Sequence, residues 1–116
     1  MTGRLDEGRL RDQAASRHPA LYADIARGWV AALPAAAARI RAAGGEELPA
    51  ALHELRSGAV HVGLPALAAD LAALEQRAGR GDAPAPGEVD DVLALAACSA
   101  EDLARWWSET GAAPGG

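Results

Sequence analysis

A chain of 116 residues that is 50% hydrophobic is long enough for one domain with one core, held without disulfides or metal. Aromatics make up only 3%, there is no Phe and β-branched residues are sparse, which disfavours a β-sandwich or barrel built on branched and aromatic cross-strand pairs. The formal charge of −5 disfavours nucleic acid and anionic membrane surfaces as partners, because both reward a basic face.

Residues 1–17 read as a polar segment with Leu5 and Leu10 as its apolar anchors, either a short helix across one end of a bundle or a loosely ordered arm. Pro19 to Ala43 reads as a helix. Pro suits its first turn, and Tyr22, Ile25, Trp29, Leu33, Ala36 and Ile40 recur at three- and four-residue spacing. Pro34 is expected to kink it, and Gly44-Gly45 to end it. A second helix begins at Glu46-Glu47, where negative charge suits an N-terminus, and runs to about Val62. A third runs from Pro65 to about Ala78 with Leu64, Leu67, Leu71 and Leu74 on one stripe. GRGDAPAPG, from Gly79 to Gly87, is a loop. The last helix spans roughly Glu88 to Glu109 with Val89, Val92, Ala96, Ala100, Leu103 and Trp107 inward, unbroken at Ser99 because the stripe keeps phase. Residues 111–116 are expected to be disordered. The expected fold is all-α, an antiparallel up-and-down four-helix bundle over residues 18–110.

Within LHELRSGAVHVG, the segment Leu52 to Gly63, a turn of roughly 100° per residue gathers Leu48, Leu52, Leu55, Ala59 and Val62 into one apolar arc. His53 then projects roughly 150° away from that arc, toward water. Arg56 follows one turn later, among the small or apolar Pro49, Ala50, Ser57 and Val60. A neutral imidazole is a nucleophile, a cation steadies phosphoryl oxygens, and a flat surround admits a partner, so the face suits phosphoryl transfer. On the wheel alone, His53 reads first as a solvated surface histidine, and Arg56 has an alternative reading as an exposed arginine paired with Glu54 or another acid. Gly58 in mid-helix costs roughly 1 kcal/mol against Ala, and its position suggests close packing against a neighbouring helix.

The register of His53, Leu55, Arg56, Ser57, Gly58, Gly63, Leu67, Leu71, Leu74 and Glu75, with Trp29-Val30-Ala31-Ala32-Leu33-Pro34 upstream, resembles the histidine-containing phosphotransfer (HPt) domain of bacterial phosphorelays. The resemblance covers about Leu21 to Trp107. It implies that His53 is the phosphoacceptor, attacking the phospho-aspartate of a receiver domain through Nε2 and passing the group to another receiver. It implies that Arg56, where the family usually carries Lys, stabilises the phosphoryl group, and that Glu75 accepts from Nδ1–H and so leaves Nε2 bare. Ser57 stands where the family has Gly and gives docking clearance or a hydrogen bond, with Pro49, Ala50 and Val60 lining the docking surface. Expected partners are response-regulator receiver domains and a hybrid sensor histidine kinase. The chain needs no cofactor of its own, Mg²⁺ belongs to the partner receiver, and the protein is a monomer without kinase activity. Its rivals are an HPt-like adaptor or dimerisation module, and a small helical enzyme or ligand carrier.

The remaining motifs are weaker. There is no Gly-rich phosphate loop, GxSxG elbow, zinc spacing or Glu-x-x-His pair, and His61 lies roughly 80° around the helix from His53, too far for a tight chelate. His18 is expected at the surface, Cys98 buried or half-buried, and one of Trp106 and Trp107 away from the core. A single cysteine, the lack of an apolar run near about 20 residues and a charged N-terminus point to the cytoplasm. Met1 and the loose tail favour a free-standing chain over a piece of a larger kinase.

Overall fold

A computed structural model describes residues 4–110, and the expected disordered tail lies outside them. The described residues form five helices: α1 (Glu7–Ala14), α2 (Pro19–Ala42), α3 (Glu47–His61), α4 (Pro65–Gly79) and α5 (Pro86–Glu109). Helix α3 packs on α4, α4 on α5, α5 on α2 and α2 on α3, which closes a ring of neighbours around one core. The protein is therefore a helical bundle. Among the described residues, no helix is long and apolar enough to cross a membrane.

The core follows the leucine periodicity of α3 and α4. Leu52, Leu55 and Ala59 meet Leu67, Leu71 and Leu74 as one apolar layer. Fully burying a side chain of that size contributes about 1.5–3 kcal/mol, so this layer supplies much of the driving force. Helix α5 buries all six expected residues together with Leu93 and Ser99, and it passes Ser99 without a break.

Helix α2 keeps its expected stripe except at Ile25. Leu33 and Ile40 are buried and Tyr22, Trp29 and Ala36 pack partly buried against the core, whereas Ile25 is 38% exposed and Ala23 and Ala26 are buried in addition. Alanine occurs on every side of this helix, so hydrophobicity alone sets its phase poorly. The helix runs as one element through Pro34 and stops at Ala42, just ahead of Gly44.

Helix α5 starts at Pro86, two residues before the expected Glu88. Pro suits the first turn of a helix, and the Glu88 carboxylate reaches back to accept from the Ala85 N–H at 2.9 Å, so the sequence that looked like loop is the first turn. Cys98 is exposed, in contrast to its expected burial, because the adjacent Ser99 takes the inward position. Trp107 is buried and Trp106 half-buried, their rings meeting edge to face at 5.1 Å.

The N-terminal segment is a helix. Asp6 caps α1 by accepting from the Arg9 N–H, and its own N–H donates to the Gly63 carbonyl at 2.8 Å. Leu10 is fully buried beside Gly63, whose φ of 86° favours glycine and where a Cβ would meet Leu10 at 3.3 Å. Helix α1 thus fastens onto the α3–α4 turn.

Candidate functional site

The apolar arc of α3 faces the core, which leaves Ala50, His53, Glu54, Ser57 and Val60 exposed along one stripe. Helix α4 lies against α3, and its Leu74 anchors the inner face there. The next residue, Glu75, is carried to the seam between the two helices, where it is half-buried and turned toward the exposed stripe.

His53, Arg56 and Glu75 form one cluster. The His53 side chain is 56% exposed, and its Nδ1 lies 2.9 Å from Glu75 Oε2. Arg56 Nε donates to Glu75 Oε1 at 2.8 Å, and Arg56 Nη2 lies 2.8 Å from the same His53 Nδ1. Partial burial works to raise the Glu75 carboxyl, but the hydrogen bond from Arg56, the contact with His53 and their charge outweigh it and hold it below the ordinary carboxylate range. The Nδ1 nitrogen of the imidazole is thus engaged by both neighbours.

The other expected residues fall along the same helix. Ser57 and Ala50 are exposed, Pro49 is half-buried and Val60 is 44% exposed. Glu54 does not pair with Arg56. It pairs in bidentate fashion with Arg39 of α2 at 3.2 and 3.3 Å, and the hydrogen bonds from Arg39 hold its carboxyl below the ordinary value.

Two features beside His53 were not anticipated. One is that Arg39–Glu54 bridge. The other is a groove of about 120 Å³ between α2 and α3, lined by Trp29, Ala32, Ala36, Ala51 and Leu55 with the bridging pair. Gly58 was the available signal for close approach. An added Cβ there would stand 2.7 Å from Trp29 Cδ1, so the missing side chain is what seats the indole against α3. Set against protein-family models, curated proteins and solved structures, the chain gives no match.

Proposed function

We propose that the protein is a phosphorelay intermediate built on an antiparallel up-and-down four-helix arrangement. The observation that carries this reading is the exposed His53 imidazole with its Nδ1 against the Glu75 carboxylate. With the proton on Nδ1 and donated to Glu75, the Nε2 lone pair attacks the phosphorus of a receiver's phospho-aspartate in line. The N–P bond forms as the P–O bond to the aspartyl carboxyl breaks, and that carboxylate leaves with the electron pair. The phosphorylated ring carries positive charge, which Glu75 offsets. Arg56 offers its guanidinium to the phosphoryl oxygens. Mg²⁺ and the remaining charge stabilisation belong to the receiver. Reversal onto a second receiver's aspartate completes the relay, in which a hybrid sensor kinase is a further partner. In this reading the chain works as a cytoplasmic monomer that brings no cofactor and no kinase activity of its own.

The docking surface is the small-residue stripe around His53, with Ala50 and Ser57 giving clearance and Val60 an apolar contact. The test is incubation with a phosphorylated receiver domain. Acid-labile, base-stable label is expected on the wild type and absent from His53→Gln. Label that never reaches the wild type, or that persists at the same site in the variant, overturns the reading. A second reading, an adaptor or dimerisation module, draws on the exposed Leu21 and Ile25 of α2 together with Val60. It predicts a concentration-dependent dimer by sedimentation that His53→Gln leaves intact.

A further inference from the structure

His53 Nδ1 is claimed by two groups that ask opposite things of it. The nitrogen has one in-plane position, which holds either a proton or a lone pair. Glu75 Oε2, at 2.9 Å, is satisfied only when Nδ1 carries the proton. Arg56 Nη2, at 2.8 Å, is satisfied only when Nδ1 is bare. In the first case Arg56 faces a second donor, and in the second Glu75 faces a lone pair. The Arg56 Nε to Glu75 Oε1 bond, at 2.8 Å, is compatible with both and makes a pivot about which the guanidinium can swing.

We propose that Arg56 is a tautomer latch on His53, a positioning role that rests on the phosphotransfer reading and adds to it. At rest Arg56 donates to Nδ1, the ring proton sits on Nε2, and the nucleophilic lone pair is absent. An arriving phosphoryl dianion attracts the guanidinium, whose side chain is 30% exposed and has room to move outward. Nη2 leaves Nδ1, Nδ1 takes a proton from water, Nε2 gives one up, and Glu75 captures the new Nδ1–H. The net proton change is zero, and the exposed ring exchanges both protons with solvent. Attack then follows with the Nε2 lone pair in place. The cation that steadies the phosphoryl group is thus the same one that withholds the nucleophile until that group is present.

The test reads the tautomer directly, by ¹⁵N imidazole resonances of the full chain about two pH units above the ordinary imidazole value, with His53 assigned by comparison with His53→Gln. In the wild type the Nε2–H form is expected to dominate, and Arg56→Met is expected to change the tautomer ratio about tenfold toward Nδ1–H, the worth of one charge-assisted hydrogen bond. Arg56→Lys, which keeps a donor and a cation, is expected to fall between. Adding inorganic phosphate to the wild type, which needs no variant, is expected to move the ratio the same way and to leave Arg56→Met unmoved. A wild-type His53 already in the Nδ1–H form, unchanged by Arg56→Met and by phosphate, overturns the latch while leaving phosphotransfer through Glu75 standing. A ratio that responds as expected in a protein that no phosphorylated receiver labels upholds the latch and removes the relay.

Discussion

Two arginine–carboxylate clusters share helix α4, and they are wired differently. Near the end of the helix, Arg77 bonds both oxygens of Glu88 and also Asp82, while Glu88 additionally accepts from the Ala85 N–H. There each donor meets an acceptor, and the cluster ties the α4–α5 loop shut. Donating to Glu88 raises Arg77, and accepting from Arg77 lowers Glu88. Half a turn earlier, Arg56, Glu75 and His53 use the same chemistry, but two groups compete for one nitrogen. A satisfied cluster holds one geometry. A cluster with competing claims has two arrangements open to it, which is what the proposed latch draws on.

The largest expected effect lies in the second cluster. Under the proposed mechanism, Glu75→Met removes the acceptor for Nδ1–H, and labelling of His53 by a phosphorylated receiver is expected to slow about 10²-fold while thermal unfolding barely moves. Equal loss of Tm and labelling would make Glu75 merely structural. Arg77→Gln should do the reverse. Hydrogen exchange at the first turn of α5 accelerates and Tm falls by a few degrees, while labelling is unchanged. A labelling defect there would erase the distinction between the clusters.

A smaller effect comes from the rear of α3. Gly58→Ala forces a methyl group against Trp29, an overpacking cost of about 1–3 kcal/mol that exceeds the roughly 1 kcal/mol gained in helix propensity. Denaturant unfolding should show a net loss of about 1 kcal/mol. Gly28→Ala, in α2 with nothing within 4 Å of the new Cβ, should instead gain about 0.5–1 kcal/mol. Equal signs for the two would mean that the indole does not rest on Gly58.

The smallest effect is shared by both clusters. Glu75 and Glu88 are both held below the ordinary value of 4.5, so the unfolded chain binds more protons in the window just below it. Their stabilisation is present in full above that value and is lost as pH falls through the depressed folded values. Denaturation curves at neutral and at mildly acid pH should show this loss, and Glu75→Gln and Glu88→Gln should each reduce it.

Much of this was legible in the sequence because leucine marks phase. In α3 and α4 the leucines recur on one face with polar residues opposite, so the buried layer and the exposed His53 follow from spacing. Glu75 beside His53 was expected only from the family resemblance, and the two side chains do meet, at 2.9 Å. Helix α2 was harder. Alanine gives no contrast between faces, and Ile25 consequently turned outward while Ala23 and Ala26 turned in. The Arg39–Glu54 bridge depends on how high α2 sits against α3, which no local pattern encodes. The contest over Nδ1 depends on where one guanidinium nitrogen ends, and that is a matter of rotamer.

The seating of Trp29 on Gly58 also gives the molecule an optical use. Indole emission responds to the polarity and proximity of its surroundings, and this indole is only half-buried at the wall of the helix that carries His53. The other two tryptophans lie together on α5, so replacing both with Phe leaves one tryptophan. Its light then reports on movement of the His53 helix without any label attached to the reacting face.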